Sequence, residues 1–359
     1  MWARVMLATG VVCLAMVNCV ALRAQTVQDE TARPDNAAQA TGAAGETANP
    51  AKVSVEVVFA AGNQFIDSAK AACQDFHSDK LQDCFAHEMQ KANASPMAVA
   101  FTQQLGEPGF VRDYKVAGAV DIAYVVYPYR ANENESCLIV NGDPAIVDVD
   151  NHKLLETDAL KHNAAYIRLA KTHRQISLWP GDRYATDTPD VEMGANAGAH
   201  IVVNYRLREQ CHACAVLGHA WYAFDFDPTG KFEGARLFAV SLARAQAAPA
   251  RDARKTIALE AGQEVTIALP VKSGTSVEWM LSKALDSSKV RLIEHSHVAP
   301  PTKSGGPGRE ELWKFAAFRA GTTDIEFQRM GASGTEAGKP VRFKVVVGTG
   351  SGVHPASKP

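Results

Sequence analysis

Gly262-Gln-Glu-Val-Thr-Ile-Ala-Leu-Pro-Val271 opens the stretch on which the reading of this chain turns. Val265, Ile267 and Leu269 alternate with Glu264, Thr266 and Ala268, so one set faces each side of a strand. A small-polar loop, Lys272-Ser-Gly-Thr-Ser276, leads into a second strand through Val277, Trp279 and Leu281. Further on, Ser304-Gly-Gly-Pro-Gly308 feeds a strand ending in Glu311-Leu-Trp-Lys-Phe-Ala-Ala-Phe318. A turn at Arg319-Ala-Gly321 precedes Thr323-Asp-Ile-Glu-Phe-Gln328, the loop Arg329-Met-Gly-Ala-Ser-Gly334, and a last strand, Pro340-Val-Arg-Phe-Lys-Val-Val-Val347. Short alternating strands with turn chemistry between them predict an all-β sandwich of roughly a hundred residues.

This order of strands and loops resembles the chagasin-like family of cysteine-protease inhibitors. The shared frame is a strand, a loop and x-Trp, then Gly-Gly-x-Gly, Trp-x-Phe, Ala-Gly-Thr, an arginine loop and a final Val-x-Phe-x-Val-x-Val. The resemblance implies an immunoglobulin-like fold whose three loops enter the active cleft of a papain-family protease. Carried onto this chain, the protease-binding positions are Ser273, Gly274 and Thr275, then Gly305, Gly306 and Gly308, then Arg329 and Met330. The family's first loop carries Asn-Pro-Thr-Thr-Gly, where Val271 to Thr275 keeps a small-polar, glycine-containing character. Its third carries Arg-Pro-Trp, where Arg329-Met330-Gly331 keeps the arginine and lacks the aromatic. Glycine lets backbone approach a cleft closely, and flanking strands fix the loop ends. Met330 offers a soft apolar contact where the family has tryptophan.

At the start of the chain, Met1-Trp-Ala-Arg4 places a positive charge ahead of the apolar run Val5 to Leu22, and small Ala24 follows. Residues 1–24 therefore read as a secretory signal peptide, with no membrane span after its cleavage. Residues 25–52 are rich in Ala, Thr, Gly, Gln, Asn and Glu without apolar period, and read as a disordered tether. A second seam at 243–255 reads as a linker. It divides a first core, 53–242, from the sandwich, 256–348, and residues 349–359 read as a disordered tail. A chain of 359 residues is long enough for two cores.

The first core reads as α+β, an antiparallel meander packed against helices. Val53 to Phe59 suits a strand. Asn63 to Met89 is helical with a break near His77-Ser78-Asp79, and Ala94-Ser-Pro96 signals a helix start with Val99, Phe101 and Leu105 inward. Gly118 to Tyr129 is a strand, and Asn141-Gly142 turns Leu138–Val140 onto Ile146–Val149. Thr157 to Gln175 reads as one helix with Leu160, Ala164 and Ile167 on its inner stripe. His200–Leu207, Gly218–Phe226 and Phe232–Leu242 are strands, the last two joined by Asp227-Pro-Thr-Gly230.

Cys13 and Cys19 fall in the signal, leaving Cys73, Cys84, Cys137, Cys211 and Cys214. An odd number in an exported chain leaves one thiol over or linked to a second chain. Cys73 and Cys84 flank the helical break, a spacing that suits a stapled helical hairpin. Cys211-His-Ala-Cys214 precedes a strand, so it lacks the helix N-terminus of a redox motif, and Ala215 stands where haem attachment wants histidine. Zinc has Cys211, Cys214, His212 and His219 but no second cysteine pair, so a disulfide is the expectation.

Asp225-Phe-Asp227-Pro-Thr-Gly230 begins like a calcium loop, but Arg236 stands at its twelfth position, and a hairpin turn is expected. His295-Ser-His297 puts two rings on one side of a strand; with no assisting ligand nearby in sequence, both read as surface residues. Asp143, Asp148 and Asp150 are an acidic group at one end of the meander, the sole candidate for hydrolysis. No catalytic residue, metal or cofactor is assigned. A formal charge of -2 and the lack of basic or aromatic stripes argue against nucleic acid. Three function classes follow: an inhibitor of papain-family cysteine proteases, a non-inhibitory exported docking module, and an enzyme in the first domain.

Overall fold

Segments whose sequence alternates cleanly become strands in the computed structural model, and the departures have local causes. The structure describes residues 52–349 without 78, 133, 182–189, 194–197, 244, 273–276, 299–307 and 332–334. The expected signal peptide, nearly all of the tether, and residues 350–359 of the tail lie outside the described residues.

Val53 to Phe59 is not a strand. Val55–Val57 forms a 3-10 turn capped by the Ser54 hydroxyl, and the Asn141 side chain binds both the amide and the carbonyl of Val53. Only Val58 bridges to a strand residue, Val111. Helices α1 (Asn63–Cys73) and α2 (Asp79–Lys91) flank the expected break and are joined by a Cys73–Cys84 disulfide. Helix α3 (Pro96–Gln104) starts as expected, with the Ser95 hydroxyl accepting the Ala98 N–H.

The first sheet is an antiparallel meander of β1 (Phe110–Val116), β2 (Asp121–Val126), β3 (Glu135–Val140) and β4 (Ile146–Asp148). Strand β1 escapes a reading by alternation because Arg112 and Asp113 are consecutive polar residues and a bulge falls between Val111 and Asp113. The helix expected over 157–175 is two, α4 (Thr157–His162) and α5 (Ala164–Ala170). Asn163 is extended and its side chain accepts the N–H groups of Ala165 and Tyr166, which starts the helix anew. Leu160 and Ala165 are buried, while Ile167 faces solvent. Strand β5 (Ile176–Pro180) follows where helix was expected to end.

A second sheet has the order β5-β7-β8-β9, with β7 spanning Ala199–Glu209, β8 Val216–Phe226 and β9 Phe232–Leu242; β6 (Asp190–Met193) also pairs with β7. One face of this sheet, with Tyr205, Tyr222 and Phe224, shares a core with Ile122, Tyr124 and Ile139 of the first. Cys137 is fully buried in that core.

The sandwich has two four-stranded sheets. One has the order β10-β12-β15-β14 (Ala245–Pro249, Glu264–Lys272, Gly308–Ala317, Val290–Val298), the other β11-β17-β16-β13 (Thr256–Glu260, Val341–Gly348, Gly321–Met330, Glu278–Leu281). The segment 243–255, read as a linker, holds β10 and a 3-10 turn, because Ala245–Pro249 pairs in parallel along the edge of β12. Phe315, Phe327 and Phe343 are fully buried between the sheets, each contributing roughly 2–3 kcal/mol. The chain is thus an α+β domain followed by an all-β, immunoglobulin-like sandwich.

Candidate functional site

Strand register decides where the three loops leave the sandwich. The end of β12 pairs with the start of β15, Lys272 with Gly308, and the end of β14 pairs beside it, Val298 with Glu310. On the other sheet the start of β13 pairs with the end of β16, Glu278 with Met330. The connection from Lys272 to Glu278 is too short to travel between poles. All three loops therefore root at one end of the sandwich. Of the expected protease-binding residues, Ser273, Gly274, Thr275, Gly305 and Gly306 lie outside the described residues; Gly308, Arg329 and Met330 are described as strand termini.

The roots are tied across the two sheets by Trp279. Its backbone N–H donates to the Glu311 carboxylate at 3.3 Å to each oxygen, and its indole Nε1 donates to the Pro270 carbonyl at 3.1 Å. The Arg329 guanidinium lies 4.6 Å from the centre of the Trp279 ring and is exposed on its outer side. Arg329 thus presents its charge at the loop pole while a ring holds it in place. Met330 is half-buried and belongs to a small hairpin: Gly331 N–H donates to Thr335 O, and Ala337 N–H to Arg329 O. Arg309 and Glu278 form a further link between the sheets at 3.8 Å.

Glu311 is the residue that sequence reasoning missed. It has no exposed surface, and besides the Trp279 amide it meets His295 Nε2 at 3.1 Å and His297 Nε2 at 3.9 Å. The two histidines read as surface residues therefore have an assisting group, supplied by the neighbouring strand. The signal was present as two alternating runs, but only their pairing brings the groups together.

Elsewhere the candidate chemistry resolves into structure. Cys211 and Cys214 form a disulfide; His212 packs edge-on to Trp179, and His219 is buried against Glu264. Asp227 accepts from the Thr229 hydroxyl and from the amides of Thr229 and Lys231, and Gly230 takes a positive φ of 86°, which makes a turn and not an ion site. Asp225 is ion-paired with His200 and with Arg236, the residue at the twelfth position. Burial pushes its carboxyl up, but hydrogen bonds from His200 and Arg236 outweigh that and hold it below the usual range. Of the three aspartates, Asp148 and Asp150 share the Ser136 hydroxyl, whereas the Asp143 backbone forms a β-bridge with Lys231. Burial, with the nearby Asp150 charge, raises the Asp148 carboxyl above its ordinary value.

Residues 258–347 match the chagasin family of peptidase inhibitors. The match spans the sandwich from β11 to β17 and includes all three loops. Among solved structures, the C-terminal part is similar to the cysteine protease inhibitor EhICP2 of Entamoeba histolytica, at 14% identity over 29% of this chain and 95% of that one, with a TM-score of 0.26. It is similar to amebosin at 17% identity over 29% of this chain and 98% of that one, with a TM-score of 0.25. It is also similar to PbICP-C, solved in complex with falcipain-2, at 14% identity over 30% of this chain and 94% of that one, with a TM-score of 0.21. No curated protein sequence matches the chain. The chagasin assignment rests on the family match and belongs to the sandwich alone.

Proposed function

We propose that the chagasin-family sandwich is a reversible, steric inhibitor of papain-type cysteine proteases. The family match over residues 258–347 carries this reading. Loop roots gathered at one pole support it, since a wedge needs its contacts on one rigid base. In the proposed complex, Ser273–Thr275, Gly305–Gly308 and Arg329–Met330 fill the cleft and cover the nucleophilic thiolate without offering a scissile bond in register. Glycine-rich backbone approaches the catalytic groups closely, and the ring-held Arg329 reaches the partner with little rotamer freedom left to lose.

Export fits this role. The amino-terminal apolar run reads as a signal peptide, and two disulfides suit an oxidising compartment. The test is titration of the full chain against a panel of papain-family enzymes. Inhibition should be competitive and fully reversible, and the chain should be recovered uncut. Absence of inhibition at micromolar chain across the panel refutes the reading and leaves an exported protein with a non-inhibitory chagasin-type sandwich.

A further inference from the structure

The trio of His295, His297 and Glu311 has a geometry that an ordinary ion pair does not need. The two histidines are alternate residues of β14, so both rings project from one face. Strand β15 runs antiparallel beside them with His297 opposite Glu311 and His295 opposite Trp313. One nitrogen of each ring and one carboxylate oxygen all lie within 4.8 Å of one another. A tetrahedral zinc with bonds of ~2.0–2.1 Å spaces its ligand atoms about 3.4 Å apart. The shortest approaches are of that order: His295 Nε2 lies 3.1 Å from Glu311 Oε2, and His297 Nε2 lies 3.9 Å from Glu311 Oε1.

We propose that His295, His297 and Glu311 form a binding site for a divalent transition metal of the zinc type. Two imidazoles and one carboxylate suit zinc and its neighbours, whereas calcium and magnesium take oxygen ligands. The Glu311 side chain has no exposed surface, and among the described residues no lysine or arginine pairs with it. A buried carboxylate needs its charge offset, and a divalent cation held between it and the two imidazoles supplies that charge. The neighbours also hold the ligands in place. The Trp279 amide donates to both carboxylate oxygens, and the His295 ring stacks on Trp313 at 3.8 Å and 20° between planes. Such outer partners orient the ligands of metal sites. The His297 side chain is 42% exposed, which gives the ion an entry path and leaves a fourth position open to water. Bound metal would clamp β14 to β15 where both enter the 299–307 loop.

This inference does not depend on protease binding, and its test uses none. The full chain, stripped with chelator, is titrated with Zn²⁺ by calorimetry and with Co²⁺ by absorption, while tryptophan emission follows the ring stacked on His295. Saturable uptake is expected, with tetrahedral Co²⁺ bands and a change in emission. His297→Ala alters a largely exposed side chain and should weaken uptake at least about tenfold, as loss of a metal ligand does. His212→Ala, which removes a ring packed on Trp179 elsewhere, should leave uptake unchanged. No saturable uptake, or uptake undiminished by His297→Ala, overturns the proposal and leaves the trio as a hydrogen-bonded ion pair.

Discussion

Trp279 shows how one side chain can serve both stability and presentation. Its amide fixes Glu311, its indole N–H fixes the Pro270 carbonyl, and its ring carries Arg329. An exposed cation–π contact is worth about 0.5–1 kcal/mol, so Arg329→Ala should cost under about 1 kcal/mol of stability in urea melts. If Arg329 contacts the protease, inhibition should weaken by tenfold or more, as arginine hot spots do at about 2 kcal/mol. Equal inhibition by Arg329→Ala and the parent would remove the residue from the interface. Asp148 allows a second prediction at this scale. Burial and the Asp150 charge raise its folded-state pKa. A raised carboxyl contributes stability below its unfolded pKa and loses it as pH rises through the folded value. Asp148→Asn keeps an oxygen for the Asp150 amide and should raise the melting temperature at neutral pH, with the gain shrinking to nothing in acid. A gain that grows toward acid would reverse the assigned sign.

Among the elements, the helical hairpin and the loop pole differ in what their sequence revealed. Cys73 and Cys84 are separated by 11 positions across the break between α1 and α2. Closing a loop of that size stabilises by about 3 kcal/mol in the chain-entropy description. Replacing both cysteines with serine should lower stability by roughly that amount, measured by denaturant midpoint, while protease inhibition stays unchanged because the hairpin packs on the first sheet. At the pole, Gly306→Trp should abolish inhibition in the same titration, since a bulky ring would prevent close approach of the backbone. The frame around that loop was legible because β12, β15, β16 and β17 alternate for most of their length. Strand β14 was not, since a bulge between Leu292 and Glu294 shifts its phase, and its polar half reads as surface. Glu311 shares a face with Trp313 and Phe315 by alternation, but only the pairing of β14 with β15 sets it opposite His297. Non-local register is what a linear pattern leaves out. The split of α4 from α5 is a milder case: Asn163 is a good cap, but one stripe of apolar residues spans both helices.

For the whole molecule, the decisive feature is where the first domain meets the sandwich. Trp221, Ala239 and Val202 of the second sheet pack on Ile293, Ala316 and Phe318 of the sandwich. At the end of this contact Glu264, the first residue of β12, accepts hydrogen bonds from the Ser241 hydroxyl and meets His219 Nδ1, both at 2.8 Å, and all three side chains are buried. Strand β12 then runs nine residues to Lys272. At ~3.3 Å per residue that carries the end of β12 about 26 Å from the junction, so the first domain packs at the end of the sandwich opposite the loop roots. Chain composition gave no hint of this, because Ala243 to Arg254 looks like a linker and only the fold shows it threading an edge strand between two packed bodies. A junction that combines apolar packing with buried hydrogen bonds predicts that the two domains unfold as one cooperative unit. Leaving buried polar groups without their hydrogen-bond partner costs about 1–3 kcal/mol, so Glu264→Ala, which strands His219 and Ser241, should destabilise the chain by that order. The loss should appear as two separated transitions in calorimetry where the parent shows one, as each domain unfolds on its own. Since the loop pole is untouched, inhibition measured below the first transition should be that of the parent. A single transition shifted as a whole would mean that apolar contact at Trp221 and Phe318 couples the domains without the buried polar group.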